Sequence, residues 1–188
     1  MKSIVLMGIK HCGKSTQGKL VSQKLGLDFY DTDDVVTEMT GKTPREIYTQ
    51  EGQEGFMQAE KNACEFIRSK VVGKESRVVI ATGGGICNNP DAIEILKTFG
   101  TLVFLEVEEK IAAARVLREI KVDDKGNLSN MPAYIAKKNP RTLEDAGNIF
   151  SEFFEERVKI YKSIADVFID VSGSSKTENA SRIIALVN

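Results

Sequence analysis

Nowhere in this chain of 188 residues do apolar residues run for the ~18 positions that a bilayer-spanning helix requires. The apolar run near the N-terminus, Ser3 to Met7, is too short for a signal peptide and meets a glycine loop at once. Like charges never cluster into a tail, and the formal net charge is only −1, so no basic field for nucleic acid is expected. Cysteine is scarce. Cys12, Cys64 and Cys87 are odd in number and show no Cys-x-x-Cys spacing, which argues against a disulfide framework or a zinc site and for a reducing cytoplasm. No Asn-Lys-x-Asp segment of the kind that reads guanine occurs, which weighs against a GTPase. Internal repeats and low-complexity linkers are also missing, so one domain over residues 1–188 is expected. A cytoplasmic location, no membrane partner and a monomer are expected as well, although no sequence feature sets the oligomeric state.

What is present is an ordinary globular balance, 41% hydrophobic and 28% charged, with short apolar runs alternating with longer helical patterns. Ser3–Met7, Asp28–Tyr30, Val78–Thr82, Leu102–Val107 and Val167–Val171 read as strands covered on both faces. Helices are expected over Lys14–Leu25, Asp34–Thr40, about Gly52–Val71, Pro90–Phe99, Glu108–Ile120, Leu143–Ile164 and Thr177–Leu186. Gly26 and Gly41 serve as stops, and Asn89 as the cap before Pro90. This alternation predicts an α/β fold with a largely parallel sheet. Residues 121–142, rich in Asp, Gly, Asn and Lys, have weak periodicity and read as a mobile excursion rather than a second core.

The first chemical signal is GIKHCGKST, residues 8–16, between a strand and a helix. Gly8, Gly13, Lys14 and Ser15 satisfy G-x-x-x-x-G-K-[ST], the loop whose amides cradle phosphate. Lys14 is expected to reach the β and γ phosphates and Ser15, with Thr16 beside it, to serve ATP and Mg²⁺. His11 and Cys12 fill free positions and read as solvent-facing, although Cys12 also lies where a thiol pKa can be lowered. Asp31 and Asp33 in FYDTDD fall at the carboxyl edge of the second strand, where ligands bind. If the extended backbone persists, both side chains share a face, one to help hold Mg²⁺ and one to face an acceptor hydroxyl. The other reading is a helix N-cap at Asp33 or Asp34. Gly83, Gly84 and Gly85 follow the third strand and offer bare amides to an oxygen-rich ligand, or simply a tight turn.

Taken together, the phosphate loop, DTD, TGKTPREIYTQEGQEGF, ATGGGI, LVFLEV and ERVKIYKSIADVFIDV resemble the shikimate kinase family over most of the chain. The resemblance implies a P-loop, nucleoside-monophosphate-kinase-like fold with a five-stranded parallel sheet. It also implies an acceptor-binding region near residues 32–60, a lid near 119–142, and ATP-dependent phosphorylation of a ring hydroxyl, with shikimate as acceptor. By position it makes Lys14 the phosphate holder, Ser15 and Asp31 the Mg²⁺ residues, and Asp33 the group that orients or deprotonates the hydroxyl. It gives Gly84 a substrate contact, Arg115 a place against adenine and Arg157 the substrate carboxylate. Two positions depart from the pattern. Met57 stands where the family has a carboxylate-gripping arginine, which also strips Glu60 of its partner, and Met131 stands where it has a lid arginine. Arg141, Lys137 and Lys138 are candidates to replace the latter. Two other functions stay open: a kinase for a different hydroxylated metabolite, and a nucleotide-binding regulatory protein with little turnover.

Overall fold

The computed structural model describes residues 2–74 and 76–187; Met1, Glu75 and Asn188, which fall within the expected domain, lie outside the described residues. A five-stranded parallel sheet flanked by helices forms its centre. Its strands are β1 (Ser3–Met7), β2 (Phe29–Asp31), β3 (Val79–Ala81), β4 (Gly100–Glu106) and, last in the chain, β7 (Val167–Asp170). They lie in the order β2-β3-β1-β4-β7. Every residue of β1 and β3 is buried, so their unbroken Ile, Val and Leu runs reflect a sheet covered on both faces. Register is fixed by pairs such as Val5 with Ile80 on one side and Val5 with Leu102 on the other. Because β1 has neighbours reached by opposite crossovers, its carboxyl end opens a crevice, the place where open α/β sheets bind ligands.

The helices are α1 (Lys14–Leu25), α2 (Thr32–Thr40), α3 (Pro44–Val71), α4 (Pro90–Phe99), α5 (Glu109–Leu117), a short α6 (Ala133–Ala136), α7 (Leu143–Ile164) and α8 (Lys176–Val187). Asn89 caps α4 as expected, accepting from the amide of Ala92, with Pro90 in the first turn. Packing joins α7 to the sheet through Phe104 and Tyr161, whose rings stack at 5.1 Å between centroids. All three cysteines are buried: Cys12 in the first loop, Cys64 on α3 and Cys87 in a 3₁₀ turn at Ile86–Asn88.

Three expectations are corrected. The long helix begins at Pro44, not near Gly52. Thr43 and Glu46 form a reciprocal capping box around Pro44, and Gly52, at φ 74° and ψ −166°, breaks the helix where a side chain would be strained. The stretch 121–142 has regular structure of its own, an antiparallel pair of β5 (Lys121–Val122) and β6 (Leu128–Ser129) followed by α6, and Ile135 drives into the main core with no exposure. Cys12 does not face solvent; it is 3% exposed and packs where Gly8 leaves room, a Cβ on Gly8 falling 2.7 Å from its Sγ.

Candidate active site

The carboxyl edge carries two adjoining clefts. The first, about 900 Å³, is walled by residues 10–17 of the first loop and by Asp31, Asp33, Arg115 and the 171–176 loop. Helix α1 starts at Gly13, in left-handed conformation at φ 103°, and no side chain caps it. Its first-turn amides and dipole therefore face the cleft, an arrangement suited to an anion. Lys14 is only 8% exposed, and its ammonium is held by the carbonyls of Gly8 and Ile9 at 2.9 and 2.8 Å. No carboxylate pairs with it among the described residues, so a buried positive charge is aimed at whatever enters. Ser15, beside the exposed Thr16, donates its hydroxyl to Asp31 Oδ2 at 2.6 Å. This oxygen-only pair suits a hard divalent cation such as Mg²⁺.

The strand does not continue through the acidic pair. It stops at Asp31, which itself is the N-cap of α2 and accepts from the amide of Asp33 at 3.1 Å. The cap is thus Asp31, not Asp33 or Asp34, and the shared face expected from an extended backbone is replaced by the first turn of a helix. The reason is local: an Asp that can bond its own chain two residues on favours a helix start over one more strand residue. Both carboxylates still reach the first cleft. Burial, helped by the neighbouring charge of Asp31, pushes the Asp33 carboxyl up to about 6.

The glycine triplet forms the wall between the clefts. Gly83 donates to the buried Thr32 hydroxyl at 2.9 Å, and a Cβ there would lie 2.8 Å from Asp33 Oδ1 and 3.1 Å from Glu60 Oε1. At Gly84 a Cβ would be 2.8 Å from the Lys10 amide, so the triplet and the phosphate loop touch backbone to backbone. Gly84 lines the first cleft and Gly85 the second.

The second cleft, about 470 Å³, is walled by Tyr48, Met57, Glu60, Tyr134, Phe153 and Arg157, with Lys137 and Lys138 at its rim. Arg157 donates to the Gly84 carbonyl at 2.5 Å, and its guanidinium carbon lies 3.8 Å from the centroid of Phe153. Tyr134 stacks on that same ring at 3.8 Å. Two buried polar atoms here have no protein partner, Arg157 Nε and Glu60 Oε1. The other Glu60 oxygen accepts from Asn89 Nδ2 at 2.9 Å, and burial pushes this carboxyl up to about 7. Asn89 also donates to the Met57 carbonyl, fixing that turn of α3. Met57 itself is half-buried, its sulfur 3.8 Å from Gln53 Nε2.

Arg115 lines the first cleft and donates to the His11 carbonyl at 2.7 Å. His11 sits at φ 64°, its Nε2 3.1 Å from Glu119 Oε2, which also takes the Lys10 ammonium at 2.9 Å. Met131 packs against the core edge and lines neither cleft. Arg141 lines neither as well, whereas Lys137 and Lys138 line the second. Sequence reasoning missed Lys10, Arg118, Glu119 and the 171–175 loop, which line the first cleft, and Tyr48, which lines the second. The Ser-Gly-Ser-Ser run after the last strand was a usable signal for that loop, and so was Phe153, four residues before Arg157 on one helical face. No helix among the described residues is long and apolar enough to cross a membrane.

Comparison with known proteins places these clefts in context. A family model described as shikimate kinase matches residues 10–188. A shikimate kinase of Francisella tularensis subsp. holarctica is 29% identical over 182 residues, covering 97% of this chain and 92% of that protein. The structure of a shikimate kinase from Acinetobacter baumannii in complex with shikimate superposes with a TM-score of 0.79 at 26% identity, over 100% of this chain and 93% of that one. A shikimate kinase from Aquifex aeolicus does so with a TM-score of 0.69 at 30% identity, over 97% and 94%.

Proposed function

The chain belongs to the shikimate kinase family, and on that premise we propose that it transfers the γ-phosphoryl group of ATP to a ring hydroxyl of shikimate. The observation that carries this reading is the shared wall. A cleft with an uncapped helix start and a buried, unpaired lysine adjoins a second cleft with a stacked arginine, and Asp33 and the glycine triplet stand between them. In this reading Gly8 and Gly13 shape the loop around the β and γ phosphates, Lys14 balances their charge, and Thr16 and Arg115 belong to the ATP side. Ser15 and Asp31 would hold Mg²⁺, which neutralises phosphate charge when bound.

The acceptor lies against Gly83, Gly84, Gly85 and Met57, with Arg157 turned toward its carboxylate. Asp33, with its pKa near 6, is largely ionised at neutral pH yet close enough to titrate in use, the setting of a general base. It takes the hydroxyl proton as the acceptor oxygen bonds to phosphorus and the bond from phosphorus to the ADP oxygen breaks. Arg157 is preorganised for its part: the Gly84 carbonyl and the Phe153 face hold its plane, leaving Nε–H without a protein acceptor.

A coupled ADP-release assay over shikimate, other hydroxy acids and neutral polyols tests the proposal. Neutral polyols belong in the panel because Met57 offers no donor to a carboxylate. Shikimate-dependent ADP release that exceeds that of every other acceptor is expected. Preferential turnover of a polyol would overturn the acceptor, and ADP release with none of them would overturn the kinase reading.

A further inference from the structure

We propose that Lys137 is the second cation of the acceptor cleft, binding the acceptor's carboxylate together with Arg157 where Met57 cannot. The inference rests on the acid acceptor proposed above.

Three cations line the second cleft, and they are not equivalent. Lys138 already has an anion, Glu152 Oε2 at 2.7 Å. Arg157 is fixed by a carbonyl and an aromatic face. Lys137, like Arg157, is held by neutral groups only: its ammonium bonds the Tyr48 hydroxyl and lies 4.9 Å from the centroid of that ring. A phenol orients an ammonium without neutralising it, so the charge stays available for a charge-assisted bond to an incoming anion.

The fold brings this charge to the arginine's cleft by two routes. Tyr134 and Lys137 are three residues apart around α6, hence on one face, and the Tyr134 ring stacks on the Phe153 ring that carries Arg157. From the other side, the break at Gly52 folds the first segment of α3 back so that Tyr48 meets Phe56 edge-on at 6.5 Å, beside Met57. Lys137 thus comes to the cleft from the segment that follows the β5–β6 pair, whereas position 57 comes to it from α3. A lysine is a compact point charge rather than a fork, so it recognises the carboxylate without dictating its plane.

The test uses shikimate and its uncharged carboxamide as paired acceptors, with the intact protein, Lys137→Met, Lys137→Arg and Tyr48→Phe. Lys137 is exposed, so its replacement leaves the core intact. The parent should prefer the acid. Lys137→Met should raise KM for shikimate about tenfold, the scale of one weakened charge contact, and erase most of the preference over the amide. KM for ATP should not move, Lys137→Arg should keep the preference, and Tyr48→Phe should weaken it less than Lys137→Met does. Equal losses on acid and amide in Lys137→Met would make the residue a mere bridge to Tyr48 and overturn the proposal. A parent that uses neither acceptor, or prefers the amide, would overturn the acid acceptor itself and Lys137's role with it; the parent alone distinguishes that failure from the first.

Discussion

Replacing Glu60 by glutamine should make the protein more stable at alkaline pH than its parent and change little at pH 4.5. Glu60 is 1% exposed, one oxygen bonded to Asn89 and the other without a partner. Its carboxyl titrates near 7 in the folded chain against an ordinary value of 4.5, chiefly because burial penalises the charge. Between those values the folded protein keeps a proton that the unfolded chain has lost, so stability falls as pH rises through the window. Below 4.5 the penalty is absent, and above 7 it is complete. At ~1.4 kcal/mol for each pKa unit, the interval from 4.5 to about 7 amounts to about 3 kcal/mol. Glutamine has the same shape, can accept from Asn89 through its oxygen, and carries no charge to bury. Asp33, raised in the same sense, is present in both proteins and largely cancels in the difference. Urea unfolding of parent and Glu60→Gln from pH 4.5 to 8.5 measures it. The gap in unfolding free energy should open toward high pH by about 2–3 kcal/mol. Parallel curves across that range would refute the argument that Glu60 carries an uncompensated charge.

Asp33→Asn should bind ATP nearly as the parent does while kcat falls by roughly 10² or more, and the rise of kcat/KM with pH through about 6 should vanish from the profile. Lys14→Ala should abolish turnover and weaken ATP in an equilibrium titration, since the loop amides remain but the buried charge is gone; unchanged affinity and turnover would remove Lys14 from the phosphate site. Met57→Arg should tighten shikimate in a titration with ADP and Mg²⁺ present, because the new guanidinium would lie beside the unpartnered Glu60 oxygen. Weakened binding there would show that position 57 does not meet the carboxylate.

Much of this architecture was legible because its signals are local. The phosphate loop, the Asn89-Pro90 helix start and the buried strands depend on residues within a few positions of one another. The start of α3 is legible too, in Thr43-Pro44-x-Glu46, but the apolar spacing from Phe56 to Ile67 marks only the second half of the helix. The turn at Asp31 went the other way: an Asp-Thr-Asp run fits a strand end and a cap equally well, and the cap's bond to the Asp33 amide decides between them. Contacts far apart in sequence left no local trace. Lys137 with Tyr48 and Glu119 with Lys10 are separated by about a hundred residues, and only the folded chain brings them together.

The three buried cysteines make this protein an internal reporter of its own local openings. Burial pushes the thiol of Cys64 well above its ordinary value and that of Cys87 upward as well, so neither is exposed and both favour the protonated form while packed. An alkylating reagent then registers only excursions in which a given neighbourhood loosens. Cys12 registers movement of the loop under Gly8, Cys64 that of the long helix, and Cys87 that of the turn beyond the glycine triplet. Mass-resolved labelling rates for the three would therefore divide the molecule into the first loop, the long helix and the turn beyond the glycine triplet without any engineered probe.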